Sequence, residues 1–215
     1  MIRILIADDH KIVREGLKQI LSGESGFTVA GEAANGLEAL KQLREQAFDV
    51  LLMDMSMPGR SGIELIKQIK SKKPKLAILV LSMHKEEQYA VRALKAGALG
   101  YLTKESAPDQ LVAAIRKVAG GGAFISSGVA ERLALELGGN HDAAPHMLLS
   151  DREYQVFRMM ASGITIGGIA NELSLSIKTV STHKTRILQK MKMTNGAELI
   201  HYAIRHQLVE LPGEL

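Results

Sequence analysis

The chain has 215 residues, of which 46% are apolar and 23% charged, with no cysteine and a formal net charge of +4 at pH 7. That length allows one or two domains, and the composition is that of a folded globular chain, unlike a disordered, collagen-like or membrane-embedded one. Lack of cysteine excludes a disulfide framework, thiolate-held zinc or iron–sulfur, and a thiol nucleophile. No apolar run approaches the ~18–20 residues of a membrane span, so a cytoplasmic protein without membrane attachment is expected.

In chain order, residues 2–7, 50–53, 77–81 and 98–102 are nearly continuous apolar runs, the pattern of strands in a parallel sheet covered on both faces. Residues 27–32 form a weaker run, suited to an edge strand. Between them, Ile12/Val13–Leu17–Ile20/Leu21, Leu37–Leu40–Leu43, Ile63–Ile66–Ile69, Ala90/Val91–Leu94 and Leu111–Ile115–Val118 recur every three or four residues, as in helices with one buried stripe. Pro74 follows the third helix, Gly97 the fourth, and Pro108 opens the fifth. Five βα units predict an α/β doubly wound, flavodoxin-like domain over 1–120. Gly120-Gly121-Gly122 stops the fifth helix, and 121–147 reads as a linker with a short helix over 129–137. Beyond it, helical segments near 151–161, 166–173, 177–192 and 197–206 predict a second, all-α four-helix domain over 148–215.

In a doubly wound sheet the ligand site lies beyond the carboxyl ends of the strands, where strand order reverses. Asp8 and Asp9 end the first strand and Asp54 ends the third, so three carboxylates converge there. Mg²⁺ suits such a site because it takes oxygen ligands and keeps waters that a phosphate can replace. Ser82 and Lys104 end the next two strands and supply a hydroxyl and a mobile cation. Together these residues make a phosphoryl-transfer constellation with one carboxylate as nucleophile. A lone aspartate after a strand is usually a cap or turn residue. Five such residues at the ends of four strands are not.

Residues 1–120 resemble the receiver domain of two-component response regulators. The pieces that carry the resemblance are Ile6-Ala7-Asp8-Asp9-His10, Leu52-Met53-Asp54-Met55-Ser56-Met57-Pro58-Gly59, Val80-Leu81-Ser82 and Gly100-Tyr101-Leu102-Thr103-Lys104. The resemblance implies that Asp54 is phosphorylated by a sensor histidine kinase, and that Asp8, Asp9, Asp54 and the backbone carbonyl of Ser56 hold Mg²⁺. It also implies that Lys104 contacts the acyl phosphate and that Ser82 and Tyr101 shift on phosphorylation. Glu105 departs from the family, where proline is common.

Residues 174–192 hold five cations, Lys178, Lys184, Arg186, Lys190 and Lys192, and no acid. Ser176 suits the N-cap of a helix whose inward stripe is Ile177, Val180, Ile187, Leu188 and Met191. Lys178, Ser181, Thr182, Thr185 and Gln189 then project outward, flanked by Lys184 and Arg186. Hydroxyls rimmed by cations suit a helix entering the major groove, where the cations meet phosphates. Spacing alone favours an amphipathic helix with a solvated basic face.

Residues 148–209 resemble a LuxR-type DNA-binding domain, through Leu149-Ser150-Asp151-Arg152-Glu153, Ile169-Ala170-Asn171-Glu172-Leu173, Ser176-Ile177-Lys178-Thr179-Val180 and His183. With a receiver upstream this is the arrangement of NarL/FixJ-type response regulators. The resemblance makes 177–191 the recognition helix, with Thr179 among its DNA-facing residues. It also implies binding to double-stranded DNA and a homodimer on phosphorylation, with 197–206 as a dimer surface. Ser150 and Glu153 suit a capping box. Gly167 and Gly168 replace the usual lysine and acid, so the first turn of the scaffold helix should fray and contact phosphate weakly.

Other readings fare worse. An aspartyl-phosphate phosphatase would need a second acid after Asp54, where Met55-Ser56 stands, so no enzyme is expected. The intact acid cluster speaks against a vestigial receiver. His141, Asp142 and His146 lack zinc-site spacing and read as solvated linker residues. Gly120–Gly122 is no nucleotide loop, and Ser126 and Ser127 are in no nucleophile elbow.

Overall fold

The computed structural model describes residues 1–57, 62–83, 87–106, 108–137, 144–206 and 208–209. Pro58 and Gly59 of the acid motif, and residues 138–143 of the expected linker with His141 and Asp142, lie outside the described residues. The chain divides into two units, Met1–Gly138 and Gly139–Leu215.

In the first unit the order is β1 (Ile2–Ala7), α1 (Lys11–Ser22), β2 (Phe27–Ala33), α2 (Gly36–Glu45), β3 (Val50–Asp54), α3 (Gly62–Lys72), β4 (Ala77–Ser82), α4 (Glu87–Lys95), β5 (Gly100–Thr103), α5 (Pro108–Ala119) and α6 (Ser127–Leu137). The strands form one parallel sheet in the order β2-β1-β3-β4-β5, with the weaker run β2 at an edge. Strand order reverses between β1 and β3, which pair directly from Ile4–Val50 to Ala7–Met53. The carboxyl ends of these two strands therefore lie side by side.

Alternation along the strands separates two apolar layers. Leu5, Leu51, Met53, Ile78 and Val80 face one way, against α2, α3 and α4. Ile4, Ile6, Val50, Leu52 and Leu79 face the other, against α1 and α5. Each fully buried aliphatic side chain contributes roughly 1.5–3 kcal/mol of transfer free energy, so both layers resist any shift of register. Ile12 and Leu37, expected on buried stripes, are 87% and 72% exposed. Both stand in the first turn of their helices, where the stripe begins before the packed interface does.

Part of the expected linker is built into this unit. Phe124 pairs with Gly100 as an isolated parallel bridge: its N–H donates to the Leu99 carbonyl at 2.8 Å, and its carbonyl accepts from Tyr101 N–H at 3.2 Å. A Cβ on Gly100 would lie 2.7 Å from Leu79 Cδ1 and 3.0 Å from the Phe124 carbonyl oxygen, so this close approach needs glycine. Helix α6 then lays Val129 and Leu133 on the same apolar layer as Tyr101 and α4. An amphipathic segment long enough for three turns is more stable packed than solvated.

The second unit opens with a 3₁₀ turn, Pro145–Leu148, followed by α7 (Asp151–Ala161), α8 (Ile166–Glu172), α9 (Ile177–Met191) and α10 (Gly196–Arg205). Tyr154, Phe157, Ile169, Val180, Ile187 and Leu199 form its core. Ser150 caps α7 in a complete capping box, its hydroxyl accepting from Glu153 N–H while Glu153 accepts from Ser150 N–H. Ser174, in the left-handed region at φ 53°, sets the turn between α8 and α9. His146, expected as a solvated linker residue, is instead 2% exposed, its Nδ1 2.6 Å from the Tyr202 hydroxyl. The preceding turn folds it inward among Tyr154, Tyr202 and His206.

Candidate functional site

At the carboxyl end of the sheet, β1 delivers Asp8 and β3 delivers Asp54, each 1% exposed. Asp9 follows at the rim with a side chain 29% exposed. Lys104, just past β5, reaches back across the sheet, its Nζ 2.7 Å from Asp8 Oδ2 and 3.0 Å from Asp54 Oδ2. Its backbone is held by an N–H bond to the Ser82 carbonyl at 2.8 Å, and a turn follows in which Ser106 N–H meets the Thr103 carbonyl. The Glu105 departure leaves the cation in place. Ser56 donates its N–H to Asp54 Oδ1 at 3.1 Å, which brings its backbone beside the carboxylate. Ser82 is fully buried at the end of β4, in register with Thr103. Tyr101 is buried in the apolar layer that α4 and α6 share.

Three acids against one lysine leave the pocket short of positive charge. Burial pushes the Asp54 carboxyl above its ordinary range, opposed by Lys104 and the Ser56 N–H and reinforced by Asp8. Burial alone would pull Lys104 down, but Asp8 and Asp54 outweigh it and hold the ammonium above its ordinary value. Asp8 Oδ2 and Asp54 Oδ2 are buried oxygens paired with the Lys104 ammonium, and the buried Asp9 Oδ1 lies 3.0 Å from His10 Nδ1. One ligand atom from each of Asp8, Asp9, His10 and Asp54 lies within 4.8 Å of the others, the single such cluster among the described residues. Hard, anionic oxygens at this spacing fit a divalent cation.

In the second unit α9 presents Lys178, Ser181, Thr182, Thr185 and Arg186 to solvent, with Thr179 and Lys184 half-buried. Val180, Ile187 and Met191 are buried as expected; Leu188 is half-buried, and Ile177, in the first turn, is 62% exposed. Ser176 caps the helix through Thr179 N–H and shares a 2.7 Å hydroxyl contact with Thr179, which ties that side chain to the cap. Thr182 and Thr185 donate their hydroxyl protons to the Lys178 and Ser181 carbonyls, leaving oxygen lone pairs outward. Lys190 is not on the same footing as the other cations. Its Nζ lies 2.6 Å from the buried Glu153 Oε2 of the α7 capping box, which locks α9 to α7. Burial opposes ionisation of Glu153, but Lys190 and Ser150 together hold its carboxyl below the ordinary range. A capping-box acid and a lysine 37 residues apart carry no shared signal in sequence. In α8, Thr165 caps through Gly168 N–H at 3.1 Å.

A flavodoxin-like sheet with an acid–lysine pocket, followed in the chain by a helix-turn-helix unit with a basic second helix, is the architecture of a receiver module with a DNA-binding module. Comparisons with known proteins agree. Residues 4–116 match the response regulator receiver domain, and residues 147–203 match the bacterial regulatory proteins of the luxR family. The chain is 40% identical over 209 residues to the response regulator UvrY of Escherichia coli K12, covering 97% of this chain and 96% of that one. It is 38% identical over 212 residues to the response regulator GacA of Pseudomonas aeruginosa, covering 98% and 99%. Among solved structures, RcsB of Salmonella enterica serovar Typhimurium bound to a promoter in the presence of the phosphomimetic BeF3− matches with a TM-score of 0.67 and 31% identity, over 94% of this chain and 97% of that one. The chain belongs to the NarL/FixJ family of two-component response regulators. It is a response regulator with a receiver domain and a LuxR-type DNA-binding domain, a transcriptional regulator.

Proposed function

We propose that Asp54 accepts a phosphoryl group from a sensor histidine kinase and that this switches DNA binding by the C-terminal unit. The carboxylate forms the new P–O bond as the P–N bond of the donor phosphohistidine breaks, and the leaving imidazole keeps the electron pair and takes a proton from water. Asp8, Asp9, Asp54 and the Ser56 carbonyl would hold Mg²⁺, which would supply positive charge against the acids and the phosphoryl oxygens. Lys104 exchanges its contact with Asp54 for one with a phosphoryl oxygen, and Ser82, at the end of β4, supplies a hydroxyl. Movement of Ser82 and Tyr101 would carry the change into the layer that holds α4 and α6. Coupling of 1–3 kcal/mol suffices for such a two-state shift. The chain then pairs as a homodimer in the cytoplasm and reads two half-sites through α9.

The observation that carries this reading is Lys104 Nζ bridging the buried Asp8 and Asp54 carboxylates at 2.7 and 3.0 Å. Met55 and Ser56 after Asp54 provide no acid for hydrolysis, so the site suits a switch and not a phosphatase. The test supplies Mg²⁺ and acetyl phosphate to wild type and Asp54→Asn, and follows phosphorylation, dimer formation and DNA binding. Wild type should gain all three and the variant none. Identical behaviour of the two proteins overturns the switch.

A further inference from the structure

Residues 67–75 hold five lysines, Lys67, Lys70, Lys72, Lys73 and Lys75, and no acid, a denser basic run than the one on α9. Lys70 is spent close to its own turn, its Nζ donating to the Pro74 and Leu76 carbonyls at 2.6 and 3.0 Å. Lys72 and Lys73 instead line a surface groove of about 180 Å³ between α2 and α3, which Arg44 lines from α2. Its floor is aliphatic, made by Leu40 and Leu43 of α2 and Ile69 of α3, and Leu37 joins it while 72% exposed. The acids of α2 are already engaged: Glu38 accepts from Ala34 N–H at 2.7 Å, and Glu45 lies 3.9 Å from Lys41. Among the described residues no carboxylate pairs with Arg44, Lys72 or Lys73. Cations near the end of a helix suit its macrodipole, which accounts for their places but not for an exposed leucine on the same groove.

The groove is graded from apolar to cationic. Leu37 stands in the first turn of α2 and Arg44 in the last, a separation of about 10 Å or two turns at the helical rise. Lys72 closes α3 and β4 begins at Ala77, so the cationic end lies by the amino edge of the sheet, away from the acid pocket at its carboxyl edge. Size limits the occupant. An apolar cavity of roughly 150 Å³ takes one benzene ring, and sites that enclose a whole small molecule run to ~300–1,000 Å³, so this groove seats one or two side chains of a larger partner. Its concave floor is out of reach of a flat lipid surface and offers no aromatic ring on which a nucleic-acid base could stack. A second copy of the same face would bring cations and Leu37 but no free carboxylate. We propose that the α2–α3 groove docks an acidic amphipathic helix of a partner protein, which seats a large apolar side chain on Leu40 and Ile69 and sets carboxylates about two turns away against Arg44, Lys72 and Lys73. A partner held there leaves the phosphoacceptor pocket uncovered.

The test titrates the ¹⁵N-labelled full chain with a synthetic helical peptide that carries Leu and Phe at positions i and i+3 and a cluster of Glu two turns further on. Wild type should bind it with amide shifts confined to α2 and α3, and should bind a scrambled peptide of the same composition about tenfold more weakly or worse. Leu37→Ser, and Lys72→Glu with Lys73→Glu, should each weaken binding about tenfold, and the charge-reversed variant should recover it with a peptide that carries Lys in place of Glu. All three side chains are exposed, so these variants keep the fold, which thermal unfolding checks. Absence of binding, shifts elsewhere, equal binding of the scrambled peptide, or binding that no groove substitution weakens overturns the proposal. Vesicles of phosphatidylglycerol and phosphatidylcholine, or benzoate, that shift α2 and α3 when the peptide does not would give the groove to a lipid surface or a small amphiphilic anion, and overturn it as well.

Discussion

Asp8, Asp54 and Lys104 hold their charges behind a nearly closed surface, whereas Lys178 and Arg186 hold theirs on the open face of a helix. In the pocket, burial raises the energy of every unpaired charge, so each charge must keep a partner close by. On α9, solvent screens the cations, and their reach is broad. Lys190 belongs by sequence to the second region, with a side chain 41% exposed, but it pairs with a buried acid, Glu153, 4% exposed. The difference teaches that charge type matters less than what surrounds it.

Removing one buried charge should therefore outweigh removing one exposed charge, and the largest effect is expected at Lys104. Lys104→Ala should lower the rate of phosphorylation by acetyl phosphate about a hundredfold or more, since it deletes a preorganised contact to the transferring oxygens. A rate within threefold of wild type would break the comparison.

On the exposed side, Lys178→Ala and Arg186→Ala should each weaken DNA binding across unrelated sequences and each reduce the salt slope by about one. Binding titrations from low to high salt check this, and an unchanged slope would remove that residue from the phosphate-contacting face. Lys190→Ala probes the boundary between the two regimes. It should destabilise the C-terminal unit by about 1.5–3 kcal/mol in urea unfolding, the worth of a hydrogen bond to a buried charge. Because Glu153 is held below its ordinary value, its contribution is full above the unfolded pKa near 4.3 and is lost as pH falls below it. Glu153→Gln should flatten that acid limb of the stability curve.

The smallest expected effect is at Gly167, where an added Cβ meets nothing within 4 Å. Gly167→Ala should stabilise the unit by about 0.5–1 kcal/mol and slow exchange of the Gly168 amide. Strong protection of both glycine amides in wild type would refute the expected fraying of α8.

Much of this was written locally. Strand runs, helical stripes, the caps Ser150 and Ser176 and the edge position of β2 follow from periodicity and capping chemistry, which act over a few residues and need no tertiary context. The acid cluster was legible for a related reason: a parallel sheet fixes where the ends of β1 and β3 must lie, so Asp8 and Asp54 converge once the strands are placed. First-turn residues Ile12, Leu37 and Ile177 escaped the pattern because a stripe does not announce where its neighbour stops.

Tertiary structure decided the rest. Whether 121–137 is linker or core depended on a sheet edge and the α4 surface to receive Phe124 and Val129. Whether His146 is solvated depended on Tyr202 at a distance of 56 residues. Glu153 and Lys190, and the turn of His10 toward its own neighbours, likewise needed three-dimensional placement. The sequence by itself determined the elements and the chemical groups at their ends, because those rest on short-range sterics and hydrogen bonding. Only the fold decided which groups are desolvated together, because burial and charge pairing are set by atoms far apart in the chain.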